Sequence, residues 1–475
     1  MPRSFLFTFL CAFFAGIAAG EIWRVSVQTL FIAIACAIVG LSWKYIHWPA
    51  LIILGLCLGI LRLGNQLQSR QYDVVTLVGT TVTVNGTIVQ PSSVEDTRQV
   101  FTLTEVKQKS IAYQGKVLIS TAVYPRLPTG VDVQVTCPIT ELTPQSKLRQ
   151  WSHGIHARCT AYSVKTLGVY HHSWRATLGR WQDRLLMYVR QHFNEPQASL
   201  LNGILIGNTD GMPDRLQQSF QATGTTHIVA LSGFNVTIIM AIVVGWLVKV
   251  VGRRWAWMPA LMLLIAFVVM SGASSSVVRA AVMAIIVQLG LFIGRPVSIG
   301  RLLAYTALLM VWFNPLVLWH DVGFQLSFLA TIGLVALAKP MAAKLLWVTE
   351  HFGIRESLAT TLAAIVMTEP LLLWRFGRIS LIAPLVNVLV LPLVPITMGI
   401  GAISIFGMFL PFISFLVVPV TDSVLRLIVW IIVYGASLPN SLIYLSPIVT
   451  IVSGTLFTII AIILSRHHVQ EHHTA

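Results

Sequence analysis

The sequence predicts a polytopic α-helical membrane protein of about 11–12 membrane segments with an inserted small all-β domain. Three observations carry this fold class. Of 475 residues, 56% are hydrophobic and only 10% charged, with mean hydropathy +0.78, whereas soluble chains carry roughly a quarter charged residues. Apolar runs near the roughly 20 residues needed for a membrane crossing recur at both ends of the chain. Between them, from about residue 72 to 170, apolar residues alternate with polar ones instead of clustering. A soluble enzyme, a disordered chain and a disulfide-knotted secreted domain are excluded at this step.

Three apolar runs open the chain: Ser4–Gly20, Val25–Ser42 and Trp48–Gly64. Arg3 ahead of an apolar core that ends in small residues has the outline of a signal peptide. Two further spanning runs follow at once, so the first is read as an uncleaved helix of an N-terminal membrane region, residues 1–65. With Arg3 and Lys44 on the cytoplasmic side, the segment after the third helix is placed outside.

That segment, residues 66–172, is the inserted domain. Val82–Val89, Lys116–Ser120 and Val131–Val135 alternate with period two, are rich in Val and Thr, and are broken by Gly and Pro. Roughly five strands in this length suggest a small barrel, for which an OB-like fold is one candidate. Of five cysteines, Cys11, Cys36 and Cys57 lie in apolar runs. Cys137 and Cys159 are the pair left in the inserted domain, and a disulfide between them would suit an oxidising, extracytoplasmic location.

Residues 173–195 read as a basic amphipathic helix. Trp174, Leu178, Trp181, Leu185 and Tyr188 recur at helical spacing, accompanied by Arg175, Arg180, Arg184 and Arg190. Such a helix suits a membrane surface; a strip guiding a polyanion is the alternative. From 196 to 466 the chain is almost all membrane, and residues 467–475 form a His-rich cytoplasmic tail. The net charge of +15 fits either short basic cytoplasmic loops or an anionic partner. Lys249, Arg295, Arg301, Lys339 and Lys344 follow the alternation expected of cytoplasmic loops. Arg375 and Arg378 fall on the opposite side, so the topology breaks there or a segment is re-entrant.

Polar side chains are costly in hydrocarbon and mark a lined cavity or a helix contact. The candidates are His227, Ser232, Asn235, Arg279, Asp321, Gln325, Ser327, Glu369 and Asn387. Arg279 and Glu369 need a partner or water, and pairing with each other or with Asp321 is one solution. Pro370, Gly377, Pro384, Pro392 and Pro395 interrupt the apolar pattern, as in helices broken around a conduit.

Catalytic readings are weaker. Leu231-Ser232-Gly233 lacks the first glycine of a nucleophile elbow and sits in an apolar run. The tail His467–His473 reads as solvated rather than as a metal site, and no phosphate-binding glycine loop is present. The chain is read as a non-enzyme without a cofactor.

Several separated blocks together resemble the ComEC family of bacterial competence proteins, inner-membrane channels for DNA uptake. They are Leu201–Gly207, Gly224 with His227–Gly233, Ser276–Ala284, Gly294-Arg295, Asn314-Pro315, Gly323–Ala330 and Ala383–Asn387. The first 170 residues also resemble the family's N-terminal part, which implies an OB-like extracytoplasmic domain. Two departures matter. Asn235 stands where many members have a histidine, so a titratable role there is not implied. The chain carries no H-x-H-x-D-H metal motif and is read as a short form without the metallo-β-lactamase-like domain, leaving degradation of the second strand to another protein.

The resemblance implies a plasma-membrane channel that imports single-stranded DNA during natural transformation. His227, Ser232, Asn235, Gln325, Glu369 and Asn387 would shape the conduit, with Arg279, Arg375 and Arg378 facing the phosphates. The inserted domain, with ten basic and six acidic residues over 66–172, would receive DNA. Expected partners are single-stranded DNA, membrane lipids, a DNA receptor, a cytoplasmic motor or nuclease, and further copies of the chain. The alternatives are a transporter or flippase for another anionic substrate, such as a lipid-linked precursor, and a non-transporting scaffold.

Overall fold

The computed structural model describes residues 3–22, 30, 33–34, 37, 47–68, 73–88, 93–95, 98–108, 111–124, 127–170, 174–229, 231, 233–252, 255–295, 297–350, 353–439 and 441–445. They pack as two compact units, residues 1–180 with 282–324 and residues 181–281 with 325–475. The stretch 196–466, expected to form one membrane domain, therefore contributes 282–324 to the first unit.

In the first unit, the helices Arg3–Ile22 and His47–Gln68 pair through glycines. A Cβ on Gly16 would run into the Leu56 carbonyl and one on Gly59 into the Phe13 carbonyl, while one on Gly55 would stand 2.8 Å from the Ala12 Cβ. Small residues let two apolar helices approach where no hydrophobic effect drives them together. The second expected run, Val25–Ser42, lies largely outside the described residues.

The alternating stretch forms a closed barrel. Its strands are β1 (Thr81–Ile88), β2 (Ser93–Glu95), β3 (Arg98–Gln108), β4 (Ile111–Ala112), β5 (Lys116–Ala122), β6 (Val131–Thr140), β7 (Ile155–Thr160) and β8 (Ser163–Tyr170). Neighbours run β1-β3-β5-β7-β6, and β6 closes onto β1. Among the described strands, only the β5–β7 pair is parallel, with Ile119 opposite Cys159. This five-stranded closure gives the OB-like fold class, and β8 continues along the outer part of β6.

Period-two alternation turns Val84, Leu103, Val117, Ile119, Val133 and Val135 inward, where all are fully buried. The β1–β3 register shifts between Asn85 and Thr87. Gly86 sits at that bulge, because a Cβ there would meet Leu103 and the Thr104 carbonyl. Cys137 and Cys159 are joined across β6 and β7, with their Cα atoms 6.0 Å apart, inside the usual range for a disulfide. Asp73, buried at the barrel entrance, accepts from the Val75 amide and meets the His156 ring at 2.8 Å.

One short segment ties the barrel to the membrane helices of its own unit. Arg62 donates to the carbonyls of Trp312 and Phe313 at 2.6 and 2.8 Å. Gln66 Nε2 donates to Asn314 Oδ1 at 3.1 Å, and Asn314 Nδ2 donates to the Ser152 carbonyl at 2.6 Å. Asn314 thus holds a membrane helix with one end of its amide and the barrel's Pro144–Ser152 turn of helix with the other.

The amphipathic stretch is a helix, Trp174–His192. It packs through Ala176, Leu186 and Val189, all buried, and leaves Trp174 and Trp181 exposed. Tyr188, expected on the same stripe, turns inward and donates to the Ser404 carbonyl at 3.0 Å.

In the second unit, the buried helix Gln197–Ile206 sits in an apolar core with Phe220, Val386, Val390, Met398, Leu425, Ile428 and Ile432. Among the described residues four helices are long and apolar enough to cross a membrane: Pro49–Gln66, Val322–Lys344, Ile354–Phe376 and Ser414–Ser437. A fifth is the pair Ala383–Val390 and Leu393–Phe406, bent by 41°. The break falls at Leu391-Pro392, where the proline supplies no amide and its ring crowds the preceding turn. Pro384, Pro392 and Pro395 are expected to interrupt this apolar run, and the bend falls at the second of them. Pro370, by contrast, lies inside an unbroken helix; packed neighbours tolerate the missing hydrogen bond. Six shorter apolar helices of 10–17 residues make up much of the remainder of the expected segments. The expected last run, 443–465, opens as a short strand and lies beyond residue 445 outside the described residues, as does the His-rich tail.

Candidate intramembrane arginine site

Arg279 is the centre of the site. The chain leaves the Trp257–Met270 helix through Gly272 and Ala273, both at positive φ, and re-enters helix at Ser275–Phe292. Arg279 follows one turn later. Its Nη1 donates to the Ser327 carbonyl and, at 2.6 Å, to Thr331 Oγ1. Thr331 Oγ1 in turn donates to the same carbonyl at 2.8 Å. The guanidinium lies 5.9 Å from the Phe328 ring centroid, within cation–π range. Ser327, Phe328 and Thr331 share one face of the Val322–Lys344 helix.

Gly233 completes the enclosure. It opens the Gly233–Val251 helix, and a Cβ there would stand 2.8 Å from Arg279 Nη2. The missing side chain lets the guanidinium reach the start of this helix, where backbone amides carry a partial positive charge. Arg279 Nε is buried and makes no hydrogen bond among the described residues.

No carboxylate compensates this cation among the described residues. Glu369 is buried one helix away without a hydrogen bond or ion pair there. Asp321 belongs to the first unit and accepts from the Phe324 amide at 3.0 Å. The expected pairing of Arg279 with Glu369 or Asp321 is therefore replaced by neutral acceptors, because helix register sets a carbonyl and a hydroxyl against the guanidinium. The arrangement leaves a positive site with capacity for an anion.

The remaining residues lie elsewhere. Asn235 is buried and donates to the Ile204 carbonyl at 3.2 Å, joining two helices. Asn387 is buried with its Oδ1 unsatisfied. Gln325 precedes the Arg279 acceptors on the Val322–Lys344 helix. His227 is exposed and donates from Nδ1 to the Gly224 carbonyl at 3.2 Å. Arg375 and Arg378 close the Ile354–Phe376 helix and start the strand β9 (Arg378–Ser380). Ser232 lies outside the described residues. Sequence reasoning missed Thr331, Phe328 and the steric role of Gly233; four-residue spacing of Ser327 and Thr331 was the signal available.

Known proteins resemble part of the chain. The family model described as "Competence protein" matches residues 204–469. ComE operon protein 3 of Bacillus subtilis (strain 168) is 24% identical over 208 residues, covering 44% of this chain and 26% of that protein. The match thus spans about a quarter of that relative's length. No solved structure matches the chain.

Proposed function

This chain belongs to the competence-protein family, and on that premise we propose that it conducts single-stranded DNA across the bacterial plasma membrane. The observation that carries the reading is Arg279, a cation set among apolar helices and held, among the described residues, by neutral acceptors alone. A single strand brings one negative charge per nucleotide into a medium where charge is costly, so a preset uncompensated cation lowers the barrier to its passage. Arg375 and Arg378 offer further positive charge. The reading is conduction, with no chemistry done on the strand and no cofactor.

The Cys137–Cys159 bridge supports placing the barrel on the oxidising, extracytoplasmic side. There its surplus of basic residues would receive DNA. The exposed Trp174 and Trp181 support a membrane-surface position for their helix. A receptor, a motor, a nuclease and further copies of the chain are the partners such a conduit would need.

The test is uptake of fluorescent DNA into the cytoplasm of cells lacking the gene, complemented with wild type, Arg279→Ala or Arg279→Lys at matched abundance. Wild type should restore import. Arg279→Ala should leave DNA bound outside, and Arg279→Lys should restore import in part by keeping the charge. A deletion that imports normally, or an Arg279→Ala strain equal to wild type, would sink the proposal. A defect in lipid-linked precursor export instead would favour the flippase.

A further inference from the structure

The end of the Ile354–Phe376 helix gathers aromatic rings and cations at the surface of the second unit. Trp374 is 66% exposed and Phe376 48%. The Arg375 guanidinium lies 4.8 Å from the Trp374 ring centroid, and that of Arg378 lies 5.4 Å from Phe376. Gly377, at φ +62, ends the helix and turns the chain into β9. Strand β10 (Leu442–Tyr444) pairs with β9 and sets Tyr444 opposite Arg378. Tyr444 is 72% exposed.

The patch is anchored. Arg378 Nη1 donates to Gln221 Oε1 at 2.9 Å, and Ser380 Oγ donates to the Ala222 carbonyl at 2.6 Å. Both acceptors belong to the end of one helix, Asp214–Ala222. No acidic residue occurs between Pro370 and Ser380 or between Ser441 and Leu445. Three outward rings interleaved with two cations, on a backbone held by a strand pair, match what a single nucleic-acid strand requires. Each base presents a π-face that any aromatic ring can stack on, and each phosphate needs a cation nearby.

Trp and Tyr also gather at membrane interfaces, where Arg extends toward headgroups. Here Arg378 is bound to Gln221 and laid against Phe376, and Arg375 lies over an exposed indole. Cations fixed on ring faces favour a ligand that alternates planar rings with phosphates.

We infer that Trp374, Phe376 and Tyr444, with Arg375 and Arg378, form a landing site for single-stranded nucleic acid through base stacking. The inference rests on the DNA-conduction reading and adds where and how the strand is gripped.

The experiment uses the full chain in phosphatidylcholine nanodiscs and measures binding of a fluorescent oligothymidylate and of an abasic oligomer of equal length. Wild type should bind the base-bearing strand more tightly. Trp374→Ala should lose about 5- to 150-fold toward it, the range for one stacked base. The triple variant Trp374→Ala/Phe376→Ala/Tyr444→Ala should erase the preference while abasic binding persists, which shows the protein intact. Trp374→Phe should retain most of the preference. Arg375→Ala/Arg378→Ala should weaken both ligands and flatten the salt dependence. Equal binding of the two oligomers by wild type, or an undiminished preference in the triple variant, would overturn the landing site while leaving DNA conduction standing. A wild type that binds neither would overturn both. A triple variant that changes only with lipid composition would make the patch a membrane anchor and overturn the inference.

Discussion

Asn314 should control how firmly the barrel is held to the membrane helices of its own unit. The Asn314→Ala substitution removes its donation to the Ser152 carbonyl at 2.6 Å and its acceptance from Gln66 at 3.1 Å. A hydrogen bond contributes about 1 kcal/mol net, and a partner left buried and unsatisfied adds about 1–3 kcal/mol. Ser152 is buried, and Gln66 Oε1 already lacks a partner, so the loss should reach about 2–3 kcal/mol. Arg62 still grips Trp312 and Phe313 from the helix side, so the effect should fall on the barrel side.

The assay is native-state hydrogen exchange of the full chain in nanodiscs, read at the amides of His153 and Gly154. Opening should rise about 30- to 150-fold there, given a factor of ten for each 1.4 kcal/mol, while the His47–Gln68 helix changes little. Asn314→Asp separates the two bonds. It keeps an acceptor for Gln66 but sets a carboxylate against the Ser152 carbonyl, so its exchange at 153–154 should match or exceed that of the alanine variant. Exchange within threefold of wild type in both variants would refute the tie.

Two further outcomes follow from the barrel. Replacing Cys137 and Cys159 by serine releases a loop of sequence separation 22 and should lower barrel stability by about 3 kcal/mol, seen as faster proteolysis of residues 73–170 in membranes; an unchanged rate would count against it. Burial, and secondarily the Arg175 charge, pushes the Lys116 ammonium below its ordinary range. The unfolded chain then holds that proton more firmly, so barrel stability should rise with pH as it approaches 10.5. Lys116→Met should raise the unfolding midpoint at neutral pH and flatten that slope, whereas a lower midpoint would contradict the reasoning.

The barrel strands were legible because alternation is written along the chain itself: Val82, Val84, Val131, Val133 and Val135 repeat at every second position and share one face. The apolar runs were legible for a similar reason, as was the break near Pro392, since a proline ring acts on its own helix. Arg279 stood out as a charge in an apolar run, and so did Glu369. Their pairing did not follow. Arg279 is held largely by a backbone carbonyl, and every residue has one, so no side-chain pattern marks Ser327 as its acceptor.

The stripe of Trp174, Trp181 and Tyr188 shows where periodicity stops informing. It established a helix with an apolar face, yet neighbouring elements decided that Tyr188 turns inward and the tryptophans stay out. In the sequence Gly233 stands only at the end of the His227–Gly233 block and beside a rejected nucleophile motif; its use is to admit a guanidinium. The Asn314 tie spans residues 66, 152 and 314, and Tyr444 meets Arg378 across a strand pair. Sequence alone determined element type, membrane character and the positions of costly charges, because propensity and hydrophobic periodicity act over a few neighbouring residues. Only the tertiary structure decided which groups satisfy those charges, because hydrogen bonds and ring contacts form between atoms brought within a few ångströms from opposite ends of the chain.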